Sequence, residues 1–396
     1  MADCYVTIIG GGIIGNAVAY ELSRAFGSQT ICHLERNRHF PGENQTARNS
    51  GVLHAGIYYD NSHSPLKARL CIEGNELLYQ FCRKHNLPLR RTGKLVVATN
   101  IEEDESLDNL LLRSQENGVP NVKKISGEQA RELEPNINAY SALWVPTSGI
   151  VEPTSVVRKL RNLANLGEYF LLGTEVLDIT PQDGEFVVKI STSGSGENEF
   201  FTKYIINAAG LYSDEIARMV NPQFPLIIFP VRGETAKFYQ SRSNLNVSRN
   251  VYPAPIFYRK PDGSDHLTVG VHLTPTFSAE LDGDFAQSNG CFKCGREITV
   301  GPLNRKRGDK VGKEDFGSEI ALPSVFLEKI RGYFPNVVLD DLKLHQTGIQ
   351  AVLANSQDFH IAPDENHQNM INLVGICSPG LTSSLAIAKM VRNFLK

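Results

Sequence analysis

Three glycines near the N-terminus and one acidic residue after them have the types and spacing of a dinucleotide site. Gly10, Gly12 and Gly15 form the pattern GxGxxG, and Glu35 follows the second predicted strand. The first glycine permits a sharp turn, the second lets a pyrophosphate approach the backbone, and the third lets a helix pack on a strand. An acid at Glu35 accepts hydrogen bonds from a ribose and repels a 2′-phosphate, which disfavours NADP. The pattern fits NAD and FAD alike, and a glycine turn without a ligand is the alternative.

Two further stretches carry small and polar residues that suit contact with a flat ring system. Residues 46–56 (TARNSGVLHAG) come soon after the second predicted strand, and residues 378–384 (SPGLTSS) precede a predicted C-terminal helix. Thr382 or Ser383 can cap that helix, which leaves its first N–H groups aimed at a ligand such as the O2 atom of a flavin. An ordinary capped helix is the alternative interpretation.

The elements that must position these residues alternate between strands and helices. Residues 5–9 are predicted to form a buried strand, 13–26 an amphipathic helix and 30–34 a second strand, which together make a βαβ unit. A strand at 204–208, followed by a helix from Ser213, predicts a second crossing of the same sheet. Further strands are expected at 94–99, 175–179, 186–190 and 369–374, helices at 102–117, 154–166 and 383–394, a polar linker at 126–138 and a hairpin tip at 193–197.

Changes of composition and residue pattern along the chain predict an α/β fold, α+β overall, with two domains. Residues 222–310 are rich in prolines, aromatics and alternating β segments, as in a mainly antiparallel sheet, whereas the last 50 residues return to an α/β pattern. A chain of 396 residues also exceeds the size of a single core. We expect a discontinuous Rossmann-like nucleotide domain of residues 1–85, 145–220 and 340–396, and a substrate domain, mainly an antiparallel β-sheet with helices, of residues 86–144 and 221–339.

Composition and charge argue against several classes of function. A hydrophobic content of 41% and a charged content of 21% are typical of a globular protein. The net charge of −3 gives no reason to expect a nucleic-acid partner, which favours a basic face. The N-terminus lacks the basic run of a secretory signal, and no apolar stretch is long enough to span a bilayer. We expect a cytoplasmic protein, and peripheral contact with a membrane stays open.

Seven scattered cysteines are typical of reduced thiols that fill a core. Only Cys291 and Cys294 have the C-x-x-C spacing. They offer two of the four ligands of structural zinc, and no second pair follows. A tight turn in a hairpin is the alternative to a metal or redox role, and no metal site is predicted.

Nine short motifs in a fixed order span nearly the whole chain. They are 49–59 (NSGVLHAGIYY), 65–74 (PLKARLCIEG), 93–98 (GKLVVA), 208–214 (AAGLYSD), 230–234 (PVRGE), 251–255 (VYPAP), 269–274 (VGVHLT), 300–302 (VGP) and 378–384 (SPGLTSS). This order resembles the FAD-dependent oxidoreductases of the D-amino-acid oxidase superfamily, and especially the L-2-hydroxyglutarate dehydrogenases and oxidases.

The resemblance implies FAD as the cofactor, extended across the nucleotide domain with its isoalloxazine ring facing the antiparallel sheet. It also implies a small-molecule substrate, L-2-hydroxyglutarate, oxidised to 2-oxoglutarate by hydride transfer to flavin N5. Electrons would pass to a quinone, another acceptor or oxygen. The residues implied to bind FAD are Gly10, Gly12, Ile14, Gly15, Glu35, Arg36, Arg48, Asn49, Ser50, Gly51, Val176, Ala209, Gly210, Gly348, Pro379, Gly380, Leu381 and Thr382.

Five residues are candidates for the chemistry itself. Oxidising a 2-hydroxy acid requires a base for the hydroxyl proton, a hydride acceptor and partners for the carboxylate. His54 and His272 lie in matching motifs, and neutral imidazole is a suitable base near pH 7; His54 is favoured because it follows the expected flavin contact. Arg232 offers bidentate geometry to a carboxylate, and Tyr58 and Tyr252 each offer a positioned O–H. Packing in the core is the alternative role for the histidines and tyrosines.

The chain departs from the family pattern at three places. Gln350 stands where the family segment has arginine; if that arginine holds a substrate carboxylate, its replacement favours a different or less acidic substrate. The segment between Gly301 and Gly348 is shorter than in the family, and residues 283–296 form a cysteine-containing insertion. Oxidation of an amino acid, an amine or glycerol 3-phosphate by the same mechanism therefore remains an alternative. A flavin-binding partner subunit or redox-sensing protein is the alternative from another class.

Overall fold

The computed structural model describes residues 3–40, 44–239, 245–259, 265–278, 285, 287–288, 291–304, 311–317 and 321–395. The helices in this part of the chain are α1 (Ile13–Phe26), α2 (Pro65–Lys84), α3 (Ile101–Glu116), α4 (Gly127–Leu133), α5 (Pro153–Ala164), α6 (Ser213–Val220), α7 (Pro323–Ile330) and α8 (Gly380–Phe394). The strands are β1 (Cys4–Ile9), β2 (Ile31–Glu35), β3 (Val52–Leu53), β4 (Leu89–Arg90), β5 (Lys94–Ala98), β6 (Lys123–Ser126), β7 (Ser141–Val145), β8 (Gly149–Val151), β9 (Phe170–Leu172), β10 (Thr174–Gln182), β11 (Glu185–Thr192), β12 (Gly196–Asn207), β13 (Ile228–Tyr239), β14 (Asn250–Pro253), β15 (Ile256–Arg259), β16 (Asp265–Thr268), β17 (Leu273–Phe277), β18 (Gln287–Ser288), β19 (Cys291–Phe292), β20 (Cys294–Asn304), β21 (Leu342–Leu353), β22 (His360–Pro363) and β23 (Met370–Val374).

The first large sheet has a parallel centre. Its order is β10-β11-β12-β1-β2-β9, with β23 beside β12 and β22 beside β23. Because β1 pairs in parallel with both β2 and β12, Thr7 lies opposite Cys32 on one side and Ile205 on the other. Ile8 and Ile206 are fully buried, as expected of strands covered on both faces. Helices α1, α5 and α8 share one hydrophobic core with this sheet. The predicted βαβ unit and the second crossing by β12 are confirmed.

The second large sheet is mainly antiparallel, as predicted. Its order is β21-β13-β20-β17-β14-β5-β7-β6, and the pair β14–β5 is parallel. A core that includes α7 covers one face, where the rings of Phe238 and Phe334 meet edge to face at 5.7 Å. Val96 and Tyr252 belong to a separate cluster together with Leu107 of α3. The predicted fold class, with one Rossmann-like sheet and one antiparallel sheet, is confirmed.

Several elements match the predicted bounds closely, and others differ for identifiable reasons. Helix α1 occupies the predicted residues, and β5, α3 and α5 begin and end within two residues of the prediction. Strand β12 begins earlier, at Gly196, because its polar first half pairs with β11 in a hairpin. The linker predicted at 126–138 contains α4, which begins with a capping box between Ser126 and Gln129. Helix α2 was not predicted. Its first free N–H groups donate to the carboxylate of Asp358, which is distant in sequence and so gives no local signal of the start of a helix.

The predicted domain boundaries remain a prediction, and one strand does not follow them. Strand β21 pairs with β13 in the second sheet, although residues 340–396 were assigned to the nucleotide domain. Strands β22 and β23, which follow, belong to the first sheet. Within the described ranges, no helix combines the length and the apolar character that crossing a membrane requires.

Candidate active site

A cleft lies where β1 and β2 end, and we call it the nucleotide cleft. The cleft is open to solvent, and its empty space, including the solvent at its mouth, is about 1020 Å³. The carboxyl ends of parallel strands, at the point where the chain crosses the sheet in both directions, are the usual ligand position in such folds. The cleft is lined by Ile9, Gly10, Gly12, Leu34, Glu35, Arg36, Asn37, Asn44, Gln45, Thr46, Thr174, Glu175, Val176, Ala208, Ala209, Gly210, Leu211, Tyr212, Glu215, Ile216, Met219, Lys313 and Phe316.

The glycine turn at the head of this cleft requires its glycines. Gly10 has a φ of +112°, and a Cβ there would collide with the carbonyl oxygen of Ala208. A Cβ on Gly15 would collide with the carbonyl of Gly10, so α1 could not approach β1. His33 Nε2 donates to Gly10 O at 2.9 Å, and burial lowers the pKa of His33 to about 4. A neutral His33, which sequence reasoning missed, therefore supports the turn from β2.

Glu35 connects the end of β2 to the glycine turn. Its Oε2 accepts from the N–H of Gly11 at 2.7 Å, and its Oε1 accepts from the backbone and side-chain N–H groups of Asn37 at 2.7 Å. A carboxylate oxygen can accept more than one hydrogen bond. Glu35 lines the cleft and so retains capacity to accept from a ribose while it shapes the loop.

The loop that follows residues 41–43 supplies a part of the cleft that sequence reasoning missed. Thr46 Oγ1 accepts from Ile13 N at 2.8 Å, which satisfies a donor in the first turn of α1. Asn16 donates to the carbonyls of Gly11 and Gly12 at 2.8 and 3.0 Å. The polar run 44–46 (NQT) was the available signal, but only the fold brings it to the helix terminus.

A second missed part of the cleft comes from residues 311–317. Lys313 Nζ lies 2.8 Å from Asp214 Oδ1, and Glu314 Oε1 lies 3.1 Å from Arg36 Nη2. Phe316 lines the same cleft. These contacts hold a segment from the predicted substrate domain across a site of the nucleotide domain. Arg36 lies in the cleft as predicted, although a protein carboxylate already engages it.

The loop 44–54 leads from the nucleotide cleft toward a second group of polar residues. The Asn49 side chain donates to Thr46 O at 2.7 Å and accepts from Gly51 N at 2.8 Å, so it shapes the loop. A Cβ on Gly348 would collide with the carbonyl of Arg48, which shows how closely β21 approaches this loop. The predicted residues outside the cleft lining are Ile14, Gly15, Arg48, Asn49, Ser50, Gly51, Gly348, Pro379, Gly380, Leu381 and Thr382.

The N-terminus of α8 meets the end of that loop. Helix α8 begins at Gly380 after Pro379, earlier than the predicted Ser383. Thr382 Oγ1 accepts from the backbone N–H of His54 at 3.1 Å. The hydroxyls of Ser383 and Ser384 are buried and have no hydrogen-bond partner within the described residues. The first turn of α8 therefore contacts His54 through Thr382 and contains two hydroxyls with unused hydrogen-bonding capacity.

Five side chains form what we call the buried polar cluster: His54, Tyr58, Lys94, Tyr252 and His272. The rings of Tyr252 and His272 stack with centroids 3.8 Å apart and planes 11° apart. Lys94 Nζ lies 3.8 Å from the centroid of the Tyr252 ring and 5.1 Å from that of Tyr58. The fold thus brings together four of the five predicted catalytic residues, from the first motif and from the second sheet.

Burial changes the protonation of this cluster. The pKa of His54 is lowered well below its ordinary value by burial and by the charges of Lys94 and His272. Burial lowers the pKa of His272 to about 3 and raises those of Tyr58 and Tyr252. Both imidazoles are therefore neutral near pH 7. In the described part of the chain, His54 Nδ1 and the hydroxyls of Tyr58 and Tyr252 have no hydrogen-bond partner.

His54 is positioned through its other atoms. Ser378 Oγ lies 3.3 Å from His54 Nε2, and Asn75 Nδ2 donates to the carbonyl of His54 at 2.9 Å. In the tautomer in which Nε2 donates to the Ser378 hydroxyl, Nδ1 is the ring atom that can accept a proton. This arrangement suits the predicted general base.

Arg232, the fifth predicted catalytic residue, is engaged by protein carboxylates. Its Nε lies 3.2 Å from Glu234 Oε1 and its Nη1 lies 2.9 Å from Asp315 Oδ1. Arg232 and Glu234 are both almost fully buried. Two acids already balance this guanidinium, which argues against its predicted role as the partner of a substrate carboxylate.

The positions that depart from the family pattern have ordinary structural contacts. Gln350 Nε2 donates to Asn304 Oδ1 at 3.4 Å. Cys294 Sγ accepts from Arg90 Nη1 at 3.1 Å, and Cys291 is exposed. No cluster of three or more potential metal ligands occurs among the residues that the structure describes. Residues 283–284, 286 and 289–290 of the predicted insertion lie outside the described part.

The residues present fit an extended dinucleotide with a ring system at one end. A Cβ on Gly12 would meet only Thr46 Oγ1, at 3.3 Å, so the backbone there can be approached by a phosphate. The loop 44–54 runs from this turn to the buried polar cluster, where unpartnered hydroxyls and the α8 terminus offer donors. Cleft and cluster together define a dinucleotide-dependent oxidoreductase.

Comparison with known proteins identifies the family of oxidoreductases to which the chain belongs. The family model described as FAD dependent oxidoreductase matches residues 5–393. The chain belongs to this family of FAD-dependent enzymes, and the predicted family, enzyme class and cofactor are confirmed.

Two relatives and one solved structure illustrate the range of the family. The chain is 30% identical to an L-2-hydroxyglutarate dehydrogenase of Indibacter alkaliphilus, over 98% of each chain. It is also 30% identical to a glycerol 3-phosphate dehydrogenase of Caloramator mitchellensis, over 99% of this chain and 73% of the relative. An L-alpha-glycerophosphate oxidase from Mycoplasma pneumoniae, solved with FAD bound, has a TM-score of 0.79 and 25% identity, over 99% and 94% of the two chains.

Proposed function

We propose that this FAD-dependent oxidoreductase converts a small 2-hydroxy acid, with L-2-hydroxyglutarate as the first choice, to the 2-oxo acid at the buried polar cluster. The observation that carries the proposal is the neutral His54 imidazole, whose buried Nδ1 has no partner among the described residues. A buried, unpartnered proton acceptor beside tyrosine hydroxyls matches the needs of a hydroxy acid. The names of several relatives at about 30% identity support the same substrate.

Each residue of the site has a separate role in the proposed reaction. His54 Nδ1 accepts the hydroxyl proton, while Ser378 holds the ring through Nε2. The hydroxyls of Tyr58 and Tyr252 donate to the substrate. FAD supplies the hydride acceptor. Its adenosine and pyrophosphate would be held by the residues of the nucleotide cleft, and its flavin end by the loop 44–54 and the α8 terminus.

The experiment that tests the proposal is an anaerobic absorption spectrum of the purified holoenzyme before and after addition of L-2-hydroxyglutarate. Bleaching of the flavin band is the expected result. D-2-hydroxyglutarate is the matched control and should leave the band unchanged. A band that persists with L-2-hydroxyglutarate and with other 2-hydroxy acids would overturn the proposed reaction and leave the family unaffected.

A second candidate substrate is glycerol 3-phosphate. It is favoured by the name of one relative at 30% identity and by that of the solved oxidase with a TM-score of 0.79. The same anaerobic spectrum distinguishes the two, because only the true substrate bleaches the flavin at micromolar to millimolar concentration. Reoxidation of the bleached enzyme by oxygen or by a soluble quinone then identifies the class of electron acceptor.

A further inference from the structure

Lys94 lies at a rigid position of the buried polar cluster. It is the first residue of β5 and is 1% exposed. Its backbone lies between two neighbours, opposite Asn250 of β14 on one side and Val145 of β7 on the other. The side chain therefore starts from a fixed point, and its amino group reaches the rings of Tyr58 and Tyr252.

The charge of Lys94 has no acidic partner in the part of the chain that the structure describes. Its ammonium lies over the faces of the two tyrosine rings. The nearby Cys71 thiol does not supply a negative charge, because burial raises its pKa. Arg232 shows the contrast, since this equally buried cation carries two carboxylates. A buried ammonium without a counter-ion is costly, and burial accordingly lowers the pKa of Lys94 to about 7.

The surroundings of Lys94 point to an anionic ligand. The hydroxyls of Tyr58 and Tyr252 have no hydrogen-bond partner within the described residues, and both rings contact Lys94. A carboxylate placed there would accept hydrogen bonds from the hydroxyls and balance the ammonium. The charge of Lys94 contributes to the lowered pKa of His54, so the proposed base and the ammonium belong to one electrostatic environment.

We infer that Lys94 binds the carboxylate next to the oxidised carbon of the substrate, and that it takes up one proton from solvent when the carboxylate arrives. The inference rests on the proposed function and assigns the substrate's charge partner, a role that Arg232 was predicted to fill. The same lysine is then neutral part of the time without substrate and charged with it. Binding of the anion and uptake of the proton are therefore linked.

The test uses the FAD-loaded enzyme and 2-oxoglutarate, the product of the proposed reaction, which the oxidised enzyme cannot turn over. Calorimetric titration in buffers of different ionisation enthalpy gives both the affinity and the number of protons taken up. At pH 8 the wild-type enzyme should take up close to one proton on binding, because Lys94 is then mostly neutral. At pH 6 the uptake by Lys94 should vanish.

Lys94→Met should weaken 2-oxoglutarate binding by about 10- to 100-fold and abolish the uptake at pH 8. Lys94→Arg should retain part of the affinity without proton uptake, because arginine stays charged. Lys189→Met, which removes an exposed lysine paired with Glu197, is the matched control and should change neither quantity. The FAD content and the melting temperature of each variant establish that it folds. Methionine at position 94 should raise the melting temperature of the ligand-free holoenzyme, since it removes an unbalanced buried charge.

The outcomes separate this inference from the proposed function. If L-2-hydroxyglutarate and other 2-hydroxy acids fail to bleach the wild-type flavin, both are overturned. If they bleach it but a folded Lys94→Met variant binds 2-oxoglutarate normally, only the role of Lys94 is overturned. Unchanged affinity together with lost flavin reduction would also overturn it, because Lys94 would then act as the base.

Discussion

At the scale of single residues, burial gives similar side chains different chemical roles. His33 is buried and His54 is half-buried, and both are neutral near pH 7, as their lowered pKa values indicate. Both rings keep an Nδ1 without a hydrogen-bond partner among the described residues, but their surroundings differ. His33 donates from Nε2 to the carbonyl of Gly10 and packs edge-on against the ring of Phe170, whereas the pKa of His54 responds to Lys94 and His272. The side chains that surround the ring, and not the residue type or an unpartnered ring nitrogen, distinguish a structural histidine from a candidate base.

His54→Ala should retain FAD and slow the reduction of the flavin by substrate by about 10²- to 10⁴-fold, the usual contribution of a general base. The backbone N–H of His54, which donates to Thr382, is unaffected by the change. Anaerobic stopped-flow absorption measures the rate, and His63→Ala, at an exposed histidine, is the control. Unchanged reduction kinetics would contradict the assignment, and His272→Ala should then be measured in the same way.

Glu35→Ala should weaken FAD binding by about tenfold or more, because the carboxylate organises Gly11 and Asn37 and is expected to accept from the ribose. Fluorescence titration of the apoprotein with FAD measures the dissociation constant. Glu199→Ala, on the exposed part of β12, serves as the control and should bind FAD normally. An unaltered dissociation constant for Glu35→Ala would count against both roles of this carboxylate.

At the scale of elements, close approach between strands and helices decides which residues can occupy the turns. The glycine turn joins β1 to α1, and the carbonyl of Ala208 at the end of β12 lies against Gly10. Helix α2 approaches α8 so closely that a Cβ on Gly74 would collide with the carbonyl of Thr382. These contacts fix the α8 terminus relative to the loop that carries His54.

Gly10→Ala should abolish stable FAD binding and lower the melting temperature substantially. The substitution combines a strained positive φ with a collision against backbone, which cannot move as a flexible side chain can. Gly332→Ala is the matched control, because a Cβ there meets nothing within 4 Å. Differential scanning fluorimetry and the flavin content of the purified proteins give the comparison. Normal stability and flavin content in Gly10→Ala would show that the turn is not as tight as the structure has it.

At the scale of the whole molecule, the candidate site depends on both sheets. Lys94 and Tyr252 come from adjacent strands of the antiparallel sheet, whereas His54 follows β3 and contacts α8. The segment 311–317 pairs with residues of the nucleotide cleft through Lys313 and Glu314. The site therefore persists only while the whole chain is folded. Buried titratable groups that change the free energy of unfolding consequently affect the site as well.

The free energy of unfolding of the holoenzyme should fall as the pH drops from 7.5 to 5. The folded-state pKa of His33 is about 4 and that of His272 about 3, while unfolded histidines titrate near 6.5, so the unfolded chain binds more protons in this window. His33 alone accounts for about 2 kcal/mol of the loss at pH 5. Urea unfolding with excess FAD at the two pH values measures it. In His33→Gln the loss should be smaller by about that amount, and an equal loss would contradict the assignment.

The amino-acid sequence determined the features that depend on local order. Glycine spacing, strand and helix periodicity and the acid after the second strand predicted the βαβ unit, its ligand class and the presence of one Rossmann-like and one mainly antiparallel sheet. Motif order added the family and FAD, which the comparisons confirm. Gly10, Gly12 and Glu35 were predicted because a βαβ unit places its ligand through residues that are close together in the chain.

Only the tertiary structure decided which distant residues meet. The sequence predicts that Lys94 begins a strand, but only the structure shows that this lysine is buried and has no acid as its ion-pair partner among the described residues. The sequence predicts Arg232 as a partner of the substrate carboxylate, whereas in the structure Glu234 and Asp315 already form ion pairs with it. Periodicity and propensity describe neighbours along the chain, whereas charge balance depends on neighbours in space. The physical reason is that desolvation and ion pairing are set by the complete surroundings of a side chain, which only packing assembles.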